Sequence, residues 1–274
     1  MFSNRLECPW YRLPQVNSVL LGEHCYLEDD PSVPWTCKVD DLELELTTEA
    51  LSFRYPKYRD ASSYIRRFTG LKKLVVTLDN YYRVPELQAS RYLGNVVSGS
   101  YDWFLNYLYP IHETLEVLDI PLIDPSFLDW ITPATTFTTF PNLKTLSLPQ
   151  EALLDNSAGD MKHPTSLLPR GLEELSIYFP YVSIVAWLEK FLGCREYFQD
   201  LQKITLWPAD DRGDAFEEFV YRKSILGRLD SVGVTINVSI DSEENTTKAE
   251  WKDPDYDPFV LEIVEFLQSL PDGS

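Results

Sequence analysis

Imidazole and thiol groups are scarce in this chain: 274 residues hold three histidines and four cysteines. With only His24, His112 and His163 available, no His-Glu-x-x-His zinc motif forms. Cys8, Cys25, Cys37 and Cys194 make no Cys-x-x-Cys pair, so structural-zinc spacing is missing too. So few cysteines in so long a chain argue against a disulfide framework and fit reduced thiols. Basic charge is also short, with 24 Lys and Arg against 43 Asp and Glu, a net −19. DNA, RNA and anionic membranes repel such a chain, so neither nucleic acid nor membrane is expected as a partner. No apolar run is long enough to span a bilayer, and Met1 to Trp10 shows no signal-peptide core. The expected location is therefore cytoplasmic or nuclear.

Catalytic signatures are missing in the same way. The sequence has no Gly-x-Ser-x-Gly, no phosphate loop and no dinucleotide fingerprint. His24 and Cys25 are adjacent, but adjacency along the chain does not set attack geometry. Asp253-Pro-Asp-Tyr-Asp257 alternates carboxylates. A calcium loop starting there needs glycine and glutamate where Pro258 and Val264 stand. The expectation is a non-enzyme with no catalytic residues, no metal and no cofactor. The alternative is an enzyme on the same scaffold with an active site of unfamiliar pattern. A composition of 44% hydrophobic and 14% aromatic residues supplies ample core and argues against long-range disorder.

What the chain does have is a repeat. Leu115-Glu-Val-Leu118-Asp-Ile120 returns as Leu143-Lys-Thr-Leu146-Ser-Leu148, Leu172-Glu-Glu-Leu175-Ser-Ile177 and Leu201-Gln-Lys-Ile204-Thr-Leu206. The starts lie 28, 29 and 29 residues apart. That period predicts a leucine-rich-repeat solenoid. A degenerate copy, Leu229-Asp-Ser-Val232-Gly-Val234, is read after them. Upstream copies start at Leu71, Val39 and Val16, with irregular spacing. Pro121, Pro149, Pro180 and Pro208 follow four copies closely and should stop each strand at an equivalent point.

The expected fold is α/β: an irregular, right-handed solenoid of seven or eight coils. A parallel β-sheet lines its concave side, and helices and loops cover the convex side. Residues 1–274 form a single leucine-rich-repeat domain in this reading. Residues 1–38 supply a cap and first coil, and 39–240 the repeats, with an insertion at about 78–112. Residues 241–274 supply an acidic loop and a capping helix starting at Asp257-Pro258. Helices are expected from Ser183 to Gly193, from Asp214, over about Tyr58 to Phe68, and in the insertion along Leu93, Val97, Tyr101, Phe104, Leu105 and Leu108. Residues 121–142 read as loop with at most one helical turn.

Phe140-Pro-Asn-Leu-Lys-Thr-Leu-Ser-Leu148 and Leu168-Pro-Arg-Gly-Leu-Glu-Glu-Leu-Ser-Ile177 resemble the leucine-rich repeats of fungal F-box and F-box-like proteins. Ile184-Val-Ala-Trp-Leu188, paired with Leu201-Gln-Lys-Ile204, is similar. The resemblance covers roughly residues 36 to 240. It implies that the repeats recognise a substrate protein, while a separate F-box binds a ubiquitin-ligase adaptor. Residues 1–40 carry no F-box pattern, so adaptor binding by this chain is not expected.

In such a fold, residues between the inward leucines face outward. The partner-binding candidates come from this set: Glu43 and Glu45, then Glu174 and Tyr178, then Lys203 and Trp207. Tyr178 and Trp207 are the expected anchors, because large amphipathic aromatics dominate interface energetics. Glu43 and Glu45 would steer a basic protein partner.

Overall fold

Each copy of the leucine motif from Val16 to Leu201 becomes a strand. The computed structural model describes residues 14–21, 38–47, 65, 67–79, 99–120, 131–154, 161–181, 183–208 and 225–238. The elements run β1 (Ser18–Leu21), β2 (Asp41–Thr47), β3 (Lys73–Asp79), β4 (Gly99–Ser100), α1 (Tyr101–Leu108), β5 (Val117–Asp119) and β6 (Ile131–Thr132). They continue with β7 (Thr145–Pro149), α2 (Gln150–Leu153), α3 (Pro164–Leu167), β8 (Glu174–Tyr178), α4 (Ser183–Gly193), β9 (Lys203–Trp207), α5 (Ile225–Ser231) and β10 (Thr235–Val238). Among the described residues eight strands form one sheet in the order β1-β2-β3-β5-β7-β8-β9-β10, which is sequence order, while β4 and β6 pair apart. Every pairing is parallel. The architecture is thus an open, solenoid-like α/β fold with one sheet strand per turn of chain.

The register follows the leucines. Val19, Leu42, Leu74, Leu118, Leu146, Leu175, Ile204 and Ile236 occupy one cross-strand row. Leu74, Leu118, Leu146, Leu175 and Ile204 are each 0% exposed. Period-2 alternation puts these residues and their i+2 neighbours on the packed face. Fully burying each such side chain contributes about 1.5–3 kcal/mol.

β3, β7, β8 and β9 are each entered through a recurring turn that extends the motif. The amides of Leu71, Leu143, Leu172 and Leu201 bond the carbonyls of Phe68, Phe140, Pro169 and Phe198, three residues earlier. The third residue of each turn is Gly70, Asn142, Gly171 or Asp200, types that suit tight turns. Phe68, Phe140 and Phe198 are buried, so three of the four turns also place an aromatic ring in the core.

Between strands the chain returns through short helices. α4 buries Ile184, Val185, Trp187, Leu188 and Phe191 and ends at Gly193, as its spacing predicts. Ser183 is the first helical residue, and its hydroxyl accepts a hydrogen bond from Gln150 Nε2 at 2.8 Å. α1 begins only at Tyr101. Ser100 holds φ −150° and ψ 135° and accepts the Asp102 amide, so it caps the helix, while Leu93 and Val97 of the expected run lie outside the described residues. β6 corrects the loop reading at residues 131–132. The degenerate last copy is corrected as well. Leu229 lies in α5 and Val232 is 41% exposed, while Gly233, at φ +77°, turns the chain into β10. The Val234 amide bonds the Leu229 carbonyl and the Gly233 amide bonds Asp230, a glycine-dependent helix stop. Ile236, not Val232, therefore takes the core position opposite Ile204. The helices expected from Asp214 and from Asp257, most of that over Tyr58 to Phe68, and the acidic loop lie outside the described residues.

Candidate functional site

The alternate residues of the strands form rows on the face away from the core. One row runs Asp41, Lys73, Val117, Thr145, Glu174, Lys203 and Thr235. The next runs Glu43, Val75, Asp119, Ser147, Ser176, Thr205 and Asn237. Further along β7, β8 and β9, Pro149, Tyr178 and Trp207 are register partners. Small polar side chains thus floor the middle of the face, with aromatic rings beside them.

The structure brings together four of the six candidates. Tyr178 and Trp207 are half-buried neighbours with ring centroids 6.4 Å apart and planes tilted by 43°. The Tyr178 hydroxyl donates to the Asp119 carboxylate, 3.2 Å from both oxygens. That contact spans β8 to β5 across Ser147 and fixes the ring on the sheet. Lys203 Nζ lies 3.7 Å from the Glu174 carboxylate on the neighbouring strand. An open depression of about 520 Å³ is lined by Lys203, Thr205 and Trp207 on β9 and by Ile236, Asn237 and Val238 on the adjoining β10.

Glu43 and Glu45 do not join this group. Both lie in β2, four pairings from β8 in the sheet order. At about 4.8 Å per strand that is roughly 19 Å. Glu43 is exposed on the same face. Glu45 is a register partner of Thr77.

Two parts of the site escaped the sequence reading. Asp119 was one outward residue among many, and only the register shows Tyr178 reaching it. The β10 side of the depression was misplaced with the last repeat copy. The signal for it was the alternation Val234, Ile236, Val238 immediately after a glycine.

A second polar centre lies inside. Glu151 on α2 is 5% exposed, and Tyr101 on α1 is 0% exposed. Burial pushes the Glu151 carboxyl up to about 7, against smaller opposing pulls from its own amide and from Tyr181. Neither of its oxygens makes a hydrogen bond of full geometry. Tyr101 is raised as well, first by burial and then by the Glu151 charge. Gln150, beside it, is satisfied: its amide donates to Ser183 Oγ, and its carbonyl accepts the Tyr181 amide at 2.7 Å. Among the described residues no cluster of His, Cys, Asp and Glu could hold a metal ion. No described helix is long and apolar enough to cross a membrane.

Fold and face together define an open parallel α/β solenoid-like protein with an aromatic and acidic strip on its outer sheet surface. No family model, curated protein or solved structure matches the chain.

Proposed function

We propose that the chain is an irregular leucine-rich-repeat solenoid that works as a non-catalytic protein-binding module, with the outer face of its sheet as the concave binding side. The observation that carries this is the pair Tyr178 and Trp207. Two large rings stand side by side on the face away from the core, half-buried, with an open depression beside Trp207. Rings so placed are the usual anchors of protein interfaces. The face is broad and continuous, as recognition of another protein requires. The resemblance to fungal F-box proteins extends the proposal to substrate recognition. It assigns this chain the recognition role and not adaptor binding.

The enzyme reading has less support. Its best candidate is Glu151, whose raised carboxyl is the kind of perturbed group active sites use. At 5% exposure it is out of reach of a substrate.

Affinity capture from the native cell, read by mass spectrometry, tests the proposal when repeated with Tyr178→Ala and Trp207→Ala. A partner held through this face should weaken by on the order of 2 kcal/mol for each, the hot-spot scale. Recovery of the same partners by wild type and both variants, all equally folded, would move the site elsewhere.

A further inference from the structure

We infer that this face takes a cationic segment of a protein partner, an Arg- or Lys-rich stretch that sets a side chain against Tyr178 and Trp207 while the sheet carboxylates balance its charge. The inference rests on the binding-face reading above and names the chemistry of its occupant. Three observations carry it.

The first is how the face spends its own cations. Along the strands and the residue before each, the described lysines are Lys72, Lys73, Lys144 and Lys203, and each lies beside an acid on a neighbouring strand or the residue before it. The distances are 3.5 Å to Glu116, 3.0 Å to Asp41, 2.9 Å to Glu173 and 3.7 Å to Glu174. Those pairs cancel, and exposed Asp40 and Glu43 leave the described part of this surface net negative. A basic segment meets an excess of carboxylate, whereas an acidic one would have to break the lysine pairs.

The second is the aromatic corner. Tyr178 and Trp207 present ring faces at 43°, and the Asp119 carboxylate sits at the edge of the first. A guanidinium or ammonium is drawn to ring faces and to carboxylates alike. The anchored Tyr178 hydroxyl means the ring need not be ordered on binding. The third is reach: a chain charge of −19 attracts cationic segments before contact.

Fluorescein-labelled hexa-arginine, titrated into the full chain at low and physiological salt, tests this. Asp119→Asn with Glu174→Gln should weaken it at least fivefold. Glu189→Gln with Asp230→Asn removes the same charge from exposed positions on α4 and α5 and should change it less than twofold. Equal losses in the two double variants would reduce the effect to diffuse attraction and overturn the inference, as would no binding by wild type. A random peptide library panned on wild type and counter-selected on Trp207→Ala separates this inference from the reading beneath it. Trp207-dependent peptides rich in Arg and Lys support both. Trp207-dependent peptides that are neutral or acidic overturn the cationic partner and leave the binding face standing. No Trp207-dependent peptide overturns both. Circular dichroism melts check that each variant is folded.

Discussion

Glu151 shows most directly what one residue does to this molecule. Burial holds its carboxyl near 7, above the ordinary 4.5, so the folded state keeps a proton that the unfolded chain releases earlier. A proton bound more tightly by the folded state makes stability fall as pH rises between those two values. At about 1.4 kcal/mol per pH unit, the loss is on the order of 3 kcal/mol across that window. Glu151→Gln keeps the shape and removes the titration. It should match wild type near pH 4.5, gain on it steadily to pH 7, and hold a constant lead above. Urea unfolding at a series of pH values measures this. Parallel curves for the two proteins would show that Glu151 does not titrate in that range.

At the scale of elements, glycine positions separate cleanly by backbone. Gly233 stops α5 at φ +77°, and no atom crowds a side chain added there. Gly233→Ala should therefore cost about 1 kcal/mol through backbone strain alone. Gly227 lies within α5 with equally open space and no positive φ. Gly227→Ala should stabilise by up to about 1 kcal/mol, the helix-propensity difference. Denaturation midpoints decide both, and two changes of the same sign would contradict the argument.

The same contrast explains what could be read from the sequence. Copies starting at Leu71, Leu115, Leu143, Leu172 and Leu201 were legible because inward leucines recur with period 2 and nothing competes locally. The α4 stripe was legible from its 3.6-residue spacing. The last copy was not, because Leu229 and Val232 fit the motif equally well in letters. Only the αL turn at Gly233 decides that the strand starts later. The short helices α2 and α3, of four residues each, carry too few apolar positions to register as helical. Of the site, Tyr178, Trp207, Glu174 and Lys203 followed from strand phase. The Tyr178–Asp119 contact spans 59 residues of sequence and needed the register of three strands.

For the whole molecule, the sheet order fixes how a disturbance spreads. Strands pair in sequence order, so each turn of chain touches chiefly the turns before and after it. Stability in such a fold is close to a sum of unit and nearest-neighbour terms. The exposed lysine–acid pairs add little, between zero and about 1 kcal/mol each, and the buried rows carry the coupling. Leu146 sits near the middle of the sheet, 0% exposed and paired with Leu118 and Leu175. Leu146→Ala should cost about 2–5 kcal/mol by lost transfer energy and cavity formation. Its effect should also be graded. Native-state hydrogen exchange should accelerate most for amides of β7, next for β5 and β8, and least for β2, three pairings away. A uniform acceleration across all strands would mean the sheet opens as one cooperative block, and the nearest-neighbour account of this fold would fail.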